Sequence, residues 1–488
     1  MKKRILTLVA ALAAAALLAA CGDKPPAVTT TDTSAGDTSV TDADMLGIPE
    51  TADYGGEAFN ILSAGNVAYA DFTADETAST PLDSAQYRRK ALVEQNYGVK
   101  IAETVEKAYS SGGGPGYKRL STDANAGDCN FDLALVAGYD VTVLAYSDYL
   151  YDLASIPGID LSKSWWDKRA NENLAVRGVM FFTTGEITVS DNDVAFVILF
   201  NKELRKAYDL DDPYSLVYDG EWTLDTFGAL CKTVTEDLDQ NGIMDANDRF
   251  GVLVWDDSVV GIVNAAGQRC CTIAEDGTIG LTLYNETTLA ALDKYFSIIY
   301  DTQYALTYQR EKVDPLEMWQ ADKGLFWMNT MTRIPQLRGM ESDFGILPYP
   351  KLNAEQQDYY TTVAPYNSQF VCVPLIQKDI ERTGIITEAL AYYGEKIVTP
   401  AYYDVNLVGQ STRDEESADM LEIIFDNLVF DIGYYYQVGP YNKQLIRMVQ
   451  ERDTNFTSMY DSYKTSAERL LTVINTYYAK AVSGWEKQ

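Results

Sequence analysis

Short apolar runs rich in β-branched and aromatic residues, each followed by a stretch of helical character, constrain this chain more than any other feature. Residues 58–63, 99–101, 131–136, 195–200 and 251–255 read as strands. Residues 84–97 read as a helix, with Tyr87 and Ala91 one turn apart and Gly98 where a left-handed residue ends a helix. Residues 222–227 open another, with Thr223 as its N-cap. Strands alternating with helices predict α/β layers and a mostly parallel sheet. Ligands of such sheets sit beyond the carboxyl ends of strands, so Ser63, Ala64, Gly138 and Tyr139 are candidate positions.

The chain has 488 residues, 47% of them hydrophobic, which at ~100–200 residues per domain predicts two to four domains. Its net charge of −32 repels nucleic acid and anionic lipid headgroups, both of which are bound through cationic side chains. There is no histidine, which excludes Ser-His-Asp and Cys-His catalysis and His-ligated zinc. The six cysteines show no paired metal-ligand spacing and are sparse for a disulfide framework. Cys270 and Cys271 read as reduced, partly buried thiols, with a vicinal disulfide as the alternative.

Lys2, Lys3 and Arg4 precede an apolar run over residues 5–20, shorter than the ~20 residues of a membrane span, so residues 1–20 read as a signal peptide. The run ends Leu18-Ala19-Ala20-Cys21-Gly22, which looks like a bacterial lipobox with Cys21 as the lipid-modified N-terminus. Residues 21–52 are rich in Thr, Asp, Ser, Ala and Pro and read as a flexible tether, too polar to offset the entropy of ordering. Residues 111–115, Ser-Gly-Gly-Gly-Pro, lack the Gly-Lys-Ser/Thr ending of a phosphate-binding loop and read as a linker.

Residues 237–248 follow the EF-hand loop pattern. Asp237, Asp239, Asn241, Asp245 and Asp248 supply oxygen side chains, Ile243 a backbone carbonyl, and Gly242 the sharp turn. Ca²⁺ is the expected ion, in a structural role. Asp248 replaces the usual Glu, and a strand rather than a second helix follows, so the match is to the loop alone. An Asx-rich surface turn without metal is the alternative.

The lipobox, the helix-glycine-strand over residues 91–101, the strand 131–136, Phe200-Asn201-Lys202-Glu203-Leu204, and residues 222–227 succeed one another in a distinctive order. Asp322-Lys323-Gly324-Leu325-Phe326-Trp327-Met328 and Phe344-Gly345-Ile346-Leu347-Pro348-Tyr349-Pro350 continue it. Over residues 55–375 the chain resembles the extracellular solute-binding lipoproteins of bacterial ABC importers, family 1, the sugar-binding, maltose-binding-protein-like group. The resemblance implies an α/β, two-lobed periplasmic-binding-protein-like fold of type II, with lobes joined by a multi-crossing hinge. Crossings are expected near Asp193, Trp327 and Phe370, with 53–193 plus 327–370 forming one lobe and 194–326 plus 371–488 the other.

By position in that pattern, Ser63, Tyr139, Asp191, Asp193, Trp255, Asn329, Thr330, Tyr366 and Asn367 are the expected ligand-binding residues. Trp165 and Trp166 are expected to pack the first lobe. The implied function is capture of a carbohydrate, expected to be an oligosaccharide, by hinge closure and its delivery to the permease of an ABC importer, with no bond made or broken. The implied protein is a monomer anchored to the outer face of the cell membrane, with no nucleic-acid partner. Alternatives are a lipid-anchored glycoside hydrolase using two carboxylates, a polysaccharide adhesin, and a binding protein for peptide or ferric ion. The last would use tyrosine doublets such as Tyr359-Tyr360 and Tyr402-Tyr403.

Overall fold

The computed structural model describes residues 46–67, 69–301, 303–337, 339–403 and 415–485. The leader, Cys21 and the tether up to residue 45 lie outside the described residues. The tether is expected to reach residue 52, but the folded body begins earlier: Leu46 and Ile48 are buried, and Tyr97 Oη donates to the Pro49 carbonyl at 2.8 Å. Two apolar side chains in an otherwise polar stretch suffice to dock it.

In chain order the strands are β1 (Glu57–Gly65), β2 (Val99–Lys107), β3 (Leu133–Ala137), β4 (Phe196–Asn201), β5 (Phe250–Val254), β6 (Cys271–Ile273) and β7 (Ile279–Leu281). They continue as β8 (Ala305–Thr307), β9 (Gly324–Thr330), β10 (Phe344–Leu347), β11 (Thr361–Thr362), β12 (Gln369–Cys372) and β13 (Leu428–Val429). One sheet has the order β12-β3-β1-β2 and a second the order β10-β4-β9-β5-β8; β11 pairs with β13 and β6 with β7. Every residue of β3, β4, β5 and β9 is buried, the signature of strands covered on both faces. Helices supply the cover: Pro81–Tyr97 lies on β2, and Leu224–Cys231 packs beside β5.

Local chemistry sets the boundaries. Thr80 Oγ1 accepts from Asp83 N to start the helix Pro81–Tyr97, and Gly98 at φ 60° ends it. Thr223 caps the helix Leu224–Cys231 by accepting from Thr226 N. The ending at Gly98 and the cap at Thr223 match the sequence expectation, while the helix expected from residue 84 starts three residues earlier, at Pro81.

The expectation of a mostly parallel sheet needs correction. β1 is parallel to β2 and β3, and β5 to β8 and β9, but β12 runs antiparallel to β3, and β4 antiparallel to both β9 and β10. β4 and β12 are the strands that arrive from the other sheet, and they enter it against the local direction.

The crossings themselves are short. Between β3 and β4 the chain passes through the helical turn Ser190–Asp193; it returns between β10 and β12. The two passages run side by side: Ala195 bridges Val363 and Ala364 N donates to the Val194 carbonyl at 3.2 Å. The chain thus leaves the first sheet for the second near Asp193 and is back in the first by Phe370, which lies in β12. The crossing expected near Trp327 is not there, because Trp327 lies within β9, paired with Leu199 of β4 and Leu253 of β5. Residues 327–347 thus belong with the second sheet rather than the first. Strand pairing decides this, since β9 fills the centre of that sheet. The C-terminal part serves both sheets: the helix Ile380–Tyr393 packs on Pro81–Tyr97, whereas the helix Tyr441–Glu451 packs on Ser258–Ala265 beside β5.

Candidate functional site

The carboxyl ends of β1, β2 and β3 come together on one side, and those of β5, β8 and β9 on the other. The segments that leave these strand ends line the space between. After β3, Tyr139 opens the helix Gly138–Ala145; after β2 comes Tyr109; and Tyr366 stands in the return crossing. The Tyr366 ring centroid lies 5.8 Å from that of Tyr109 and 6.5 Å from that of Tyr139, both tilted. Asn66, just past β1, holds this row in place, donating from Nδ2 to the Tyr366 carbonyl at 2.7 Å and accepting from Ser110 N at 3.0 Å. Tyr109 is 66% exposed, so the row runs from a buried ring to an open one.

On the opposite side Trp255 comes directly after β5 and packs on Phe196 at 5.0 Å between ring centroids. Asp256 and Asp257 come next, in side-chain contact with each other. Burial and the adjacent Asp256 hold the Asp257 carboxyl well above the usual carboxylate range, though solvent still reaches it. Burial raises the hydroxyls of Tyr139 and Tyr366, and the charge of Asp257 adds to the rise, next after burial for Tyr139 and after Tyr109 for Tyr366. Asn329, at the end of β9, donates from Nδ2 to Tyr308 Oη at 2.8 Å, and its Oδ1 accepts from Thr330 N. Asn442 Nδ2 donates to Tyr139 Oη, so the helix beside β5 touches the ring at the end of β3.

The expected residues thus divide. Tyr139 and Tyr366 stand together, with Asn367 beside them on the crossing, and Asp257 next to Trp255 acts on both rings. Asn329 and Thr330 lie at the same edge of the second sheet as Trp255 and are buried, Thr330 Oγ1 sharing a hydrogen with Thr332 Oγ1 at 2.6 Å. Asp193 sits in the hinge, accepting from Tyr69 Oη at 2.7 Å and Tyr402 Oη at 3.3 Å; burial raises its carboxyl and these bonds oppose the rise. Asp191 is enclosed, accepting from Thr184 Oγ1 and its neighbour Asn192 N. Ser63 is fully buried and donates to Glu103. The structure brings neither Asp191 nor Ser63 to the ring cluster.

Neither a protein-family model nor a curated protein matches the chain by sequence. Solved structures do match in shape. One is the galacto-N-biose-/lacto-N-biose I-binding protein of an ABC transporter from Bifidobacterium longum, in complex with lacto-N-biose, at 13% identity, TM-score 0.56, over 86% of this chain and 98% of that one. An ABC substrate-binding protein from Listeria monocytogenes, in complex with cycloalternan, matches at 12% identity and TM-score 0.54, over 86% and 99%. A maltose/maltodextrin-binding domain from Bdellovibrio bacteriovorus, bound to maltotriose, matches at 13% identity and TM-score 0.53, over 85% and 100%. The fold is that of the sugar-binding ABC solute-binding proteins.

In this two-lobed, periplasmic-binding-protein-like fold the ring cluster occupies the space between the lobes. The residues that sequence reasoning missed there are Asn66, Tyr109, Asp256, Asp257, Asn442 and Lys443. Tyr109 and Asp257 come soon enough after β2 and β5 that the strand-end rule reaches them. Asn442 and Lys443 carry no such signal, being contributed by a helix 303 residues along the chain from Tyr139.

The acidic loop lies apart from this cluster. Asp237, Asp239 and Asp248 each place a carboxylate oxygen within 4.8 Å of the others. Asp237 accepts from Asn241 N and Gly242 N, and Asp248, fully buried, accepts from Leu238 N and Asp245 N. Gly242 takes φ 80°, as the turn requires. The donor set is all oxygen, which suits a hard divalent cation.

Of the remaining features, Trp165 and Trp166 are core residues whose indole N–H groups donate to the two oxygens of Glu388 at 3.0 and 2.9 Å. Cys270 and Cys271 are fully rather than partly buried. Tyr402, Tyr434 and Tyr435 are buried, Tyr435 Oη donating to the Val363 carbonyl at 3.1 Å. Among the described residues no helix is long and apolar enough to cross a membrane.

Proposed function

We propose that this protein is an extracytoplasmic binding protein that captures a carbohydrate between its two lobes and delivers it to the permease of an ABC importer. The observation that carries the reading is that Tyr109, Tyr139 and Tyr366 gather at strand carboxyl ends of the first sheet and the return crossing, while Trp255 follows the carboxyl end of β5, the two sheets being joined by adjacent passages bridged at Ala195 and Val363. Aromatic faces stack on the C–H faces of sugar rings, and Asn, Asp and Lys side chains bond hydroxyls. The three rings, 5.8 and 6.5 Å apart, pack on one another into a row whose open end, Tyr109, offers a face to a sugar. The structural neighbours in complex with glycans support the same class.

The protein makes and breaks no bond in this reading. A two-carboxylate glycosidase holds its acid and its base ~5–9.5 Å apart. Asp256 and Asp257, beside Trp255, interact with each other directly and so stand too close together to flank a glycosidic bond. Cys21 is the lipid anchor, holding a monomer at the outer face of the membrane, and Ca²⁺ bound by Asp237, Asp239, Asn241, Ile243, Asp245 and Asp248 braces the loop before β5. Thermal unfolding of the body from residue 43 against a glycan panel tests the proposal. A glycan at 100 times its dissociation constant adds ~2.7 kcal/mol and raises the midpoint by ~2–4 °C. If peptides alone raise it, the carbohydrate assignment fails.

A further inference from the structure

Each of the two passages between the sheets is bonded to the first lobe at one end and to the second at the other. On the outgoing passage Asp193 is held on the first-lobe side, accepting from Tyr69 Oη at 2.7 Å and from Tyr402 Oη at 3.3 Å. Ser190 Oγ, in the same helical turn, donates to the Gln369 carbonyl of β12 at 3.2 Å. Two residues beyond Asp193 the chain already belongs to the second lobe. The Ala195 carbonyl accepts from Met331 N at 3.1 Å, and Phe196 pairs with Thr330 of β9. The returning passage repeats this in reverse. Thr362 Oγ1 donates to Asn264 Oδ1 of the helix Ser258–Ala265 at 2.9 Å, whereas the Tyr366 carbonyl accepts from Asn66 Nδ2 at 2.7 Å.

Tyr69 bonds both passages at once. Its hydroxyl reaches Asp193, and its backbone N–H donates to Gln369 Oε1, at the start of β12, at 2.8 Å. The segment that carries it leaves the carboxyl end of β1 and is fixed from behind by buried groups. Arg89, fully buried on the helix Pro81–Tyr97, donates to the Asp71 carbonyl at 2.8 Å and to the Ile187 carbonyl at 2.7 Å, with its guanidinium 4.4 Å from the centre of the Phe72 ring. Asp71 Oδ1 accepts from Gln86 Nε2, and Glu103 Oε2 accepts from Phe72 N, both at 2.8 Å. A buried charge is tolerated only where it is hydrogen-bonded, so neither the segment after β1 nor the approach to Asp193 moves off this helix without leaving Arg89 unpaired.

A hinge turns at the few residues that are free to change their backbone angles, and a residue bonded to one lobe travels with that lobe. Between the bonds just described, the outgoing passage leaves Val194–Ala195 to turn and the returning passage leaves residues 363–365. The two stretches lie side by side, bridged at Ala195 and Val363, which gives them a common axis.

We propose that Tyr69 is the positioning residue of the hinge, clamping both passages to the first lobe so that the lobes turn about Val194–Ala195 and residues 363–365. The row of Tyr109, Tyr366 and Tyr139 then moves as one body with the first lobe, and Trp255, after β5, moves with the second. Asp193, expected from the sequence to touch the ligand, is instead the anchor of the clamp. A ligand seated on the rings acts on the hinge through Asn66, which holds Tyr366 and lies on the same segment as Tyr69. The inference rests on the two-lobed fold and not on what is captured.

Amide hydrogen exchange followed by mass spectrometry, on the full chain in detergent and without ligand, tests this. Tyr69→Phe keeps the ring and removes only the hydroxyl that Asp193 accepts from. Exchange should quicken about fivefold, the scale of one hydrogen bond, in peptides covering Ala195 and Ala364. Those two N–H groups bond to the Asn192 and Val194 carbonyls, within and between the passages. Peptides from β1, β3 and β9 should keep their rates. Tyr402→Phe removes the longer bond to the same carboxyl and should give a smaller rise in the same two peptides, so the test survives a folding defect in Tyr69→Phe. Unchanged exchange at both passages, or a rise spread evenly over both sheets as a merely structural role would give, overturns the inference. Glycan plays no part in the readout, so that failure leaves carbohydrate capture standing.

Discussion

At Tyr366 a partly exposed ring on the crossing is within reach of both Tyr109 and Tyr139, so it supports the ring row from the middle. Replacing it with Ala should weaken glycan binding by about tenfold, the scale of a lost aromatic contact, with little change in melting midpoint. Calorimetric affinity and a melting curve together check this; a midpoint drop with unchanged affinity would make Tyr366 a packing residue. Buried carboxyls predict a second behaviour. Glu103, Glu186 and Glu388 are each pushed up to about 7, in every case by burial first. At Glu388 the bonds donated by Trp166 and Trp165 oppose that rise, since they favour its charged form. A carboxyl whose folded pKa lies above its unfolded value stabilises the fold at low pH, and that stability is lost as pH rises from ~4.5 through ~7. Melting midpoints should therefore fall between pH ~5 and ~8, and Glu388→Gln should flatten part of the slope.

At the scale of elements, the helix Pro81–Tyr97 ends because Gly98 adopts φ 60°, where a Cβ would lie 2.5 Å from Asp53 Oδ1. Gly98→Ala adds both left-handed strain and that clash, and should cost about 1–2 kcal/mol or more in denaturant unfolding. Thr223→Ala, which removes only a cap bond, should cost about 1 kcal/mol. The loop over residues 237–248 makes a different claim. Bringing the carboxylates of Asp237, Asp239 and Asp248 together is unfavourable through like-charge repulsion unless a cation is bound. Calcium should raise the midpoint, chelator should lower it, and Asp237→Asn should make it insensitive to both. A calcium-independent midpoint in the unaltered protein would reduce the loop to an acidic turn.

For the whole molecule, the two passages bridged at Ala195 and Val363 run between two sheets that, among the described residues, share no strand pairing. Two adjacent strands bend about a common axis more readily than they stretch, which suits closure of one lobe on the other. Ligand-driven closure predicts a smaller radius of gyration by small-angle scattering with saturating glycan. An unchanged radius would fit an adhesin that binds without closing. The Asn442–Tyr139 bond already links the two sides, so its loss in Asn442→Ala should shift the ligand-free molecule toward a larger radius.

Periodicity and turn residues identify the α/β class, a helix over residues 84–97 ended by Gly98, the cap at Thr223 and the acidic loop in the sequence alone, while the start at Pro81 comes from the structure. Each is decided by neighbours a few residues away, through backbone sterics, capping or oxygen spacing. The strand-end rule likewise reaches Tyr139, and position in the family pattern reaches Trp255 and Tyr366. Tertiary structure decides what pairing and burial decide: that β9 sits between β4 and β5, that Ser63 and Asp191 face inward, and that Asn442 meets Tyr139. Those outcomes depend on contacts between residues hundreds of positions apart, whose free energy exists only once both sheets have formed.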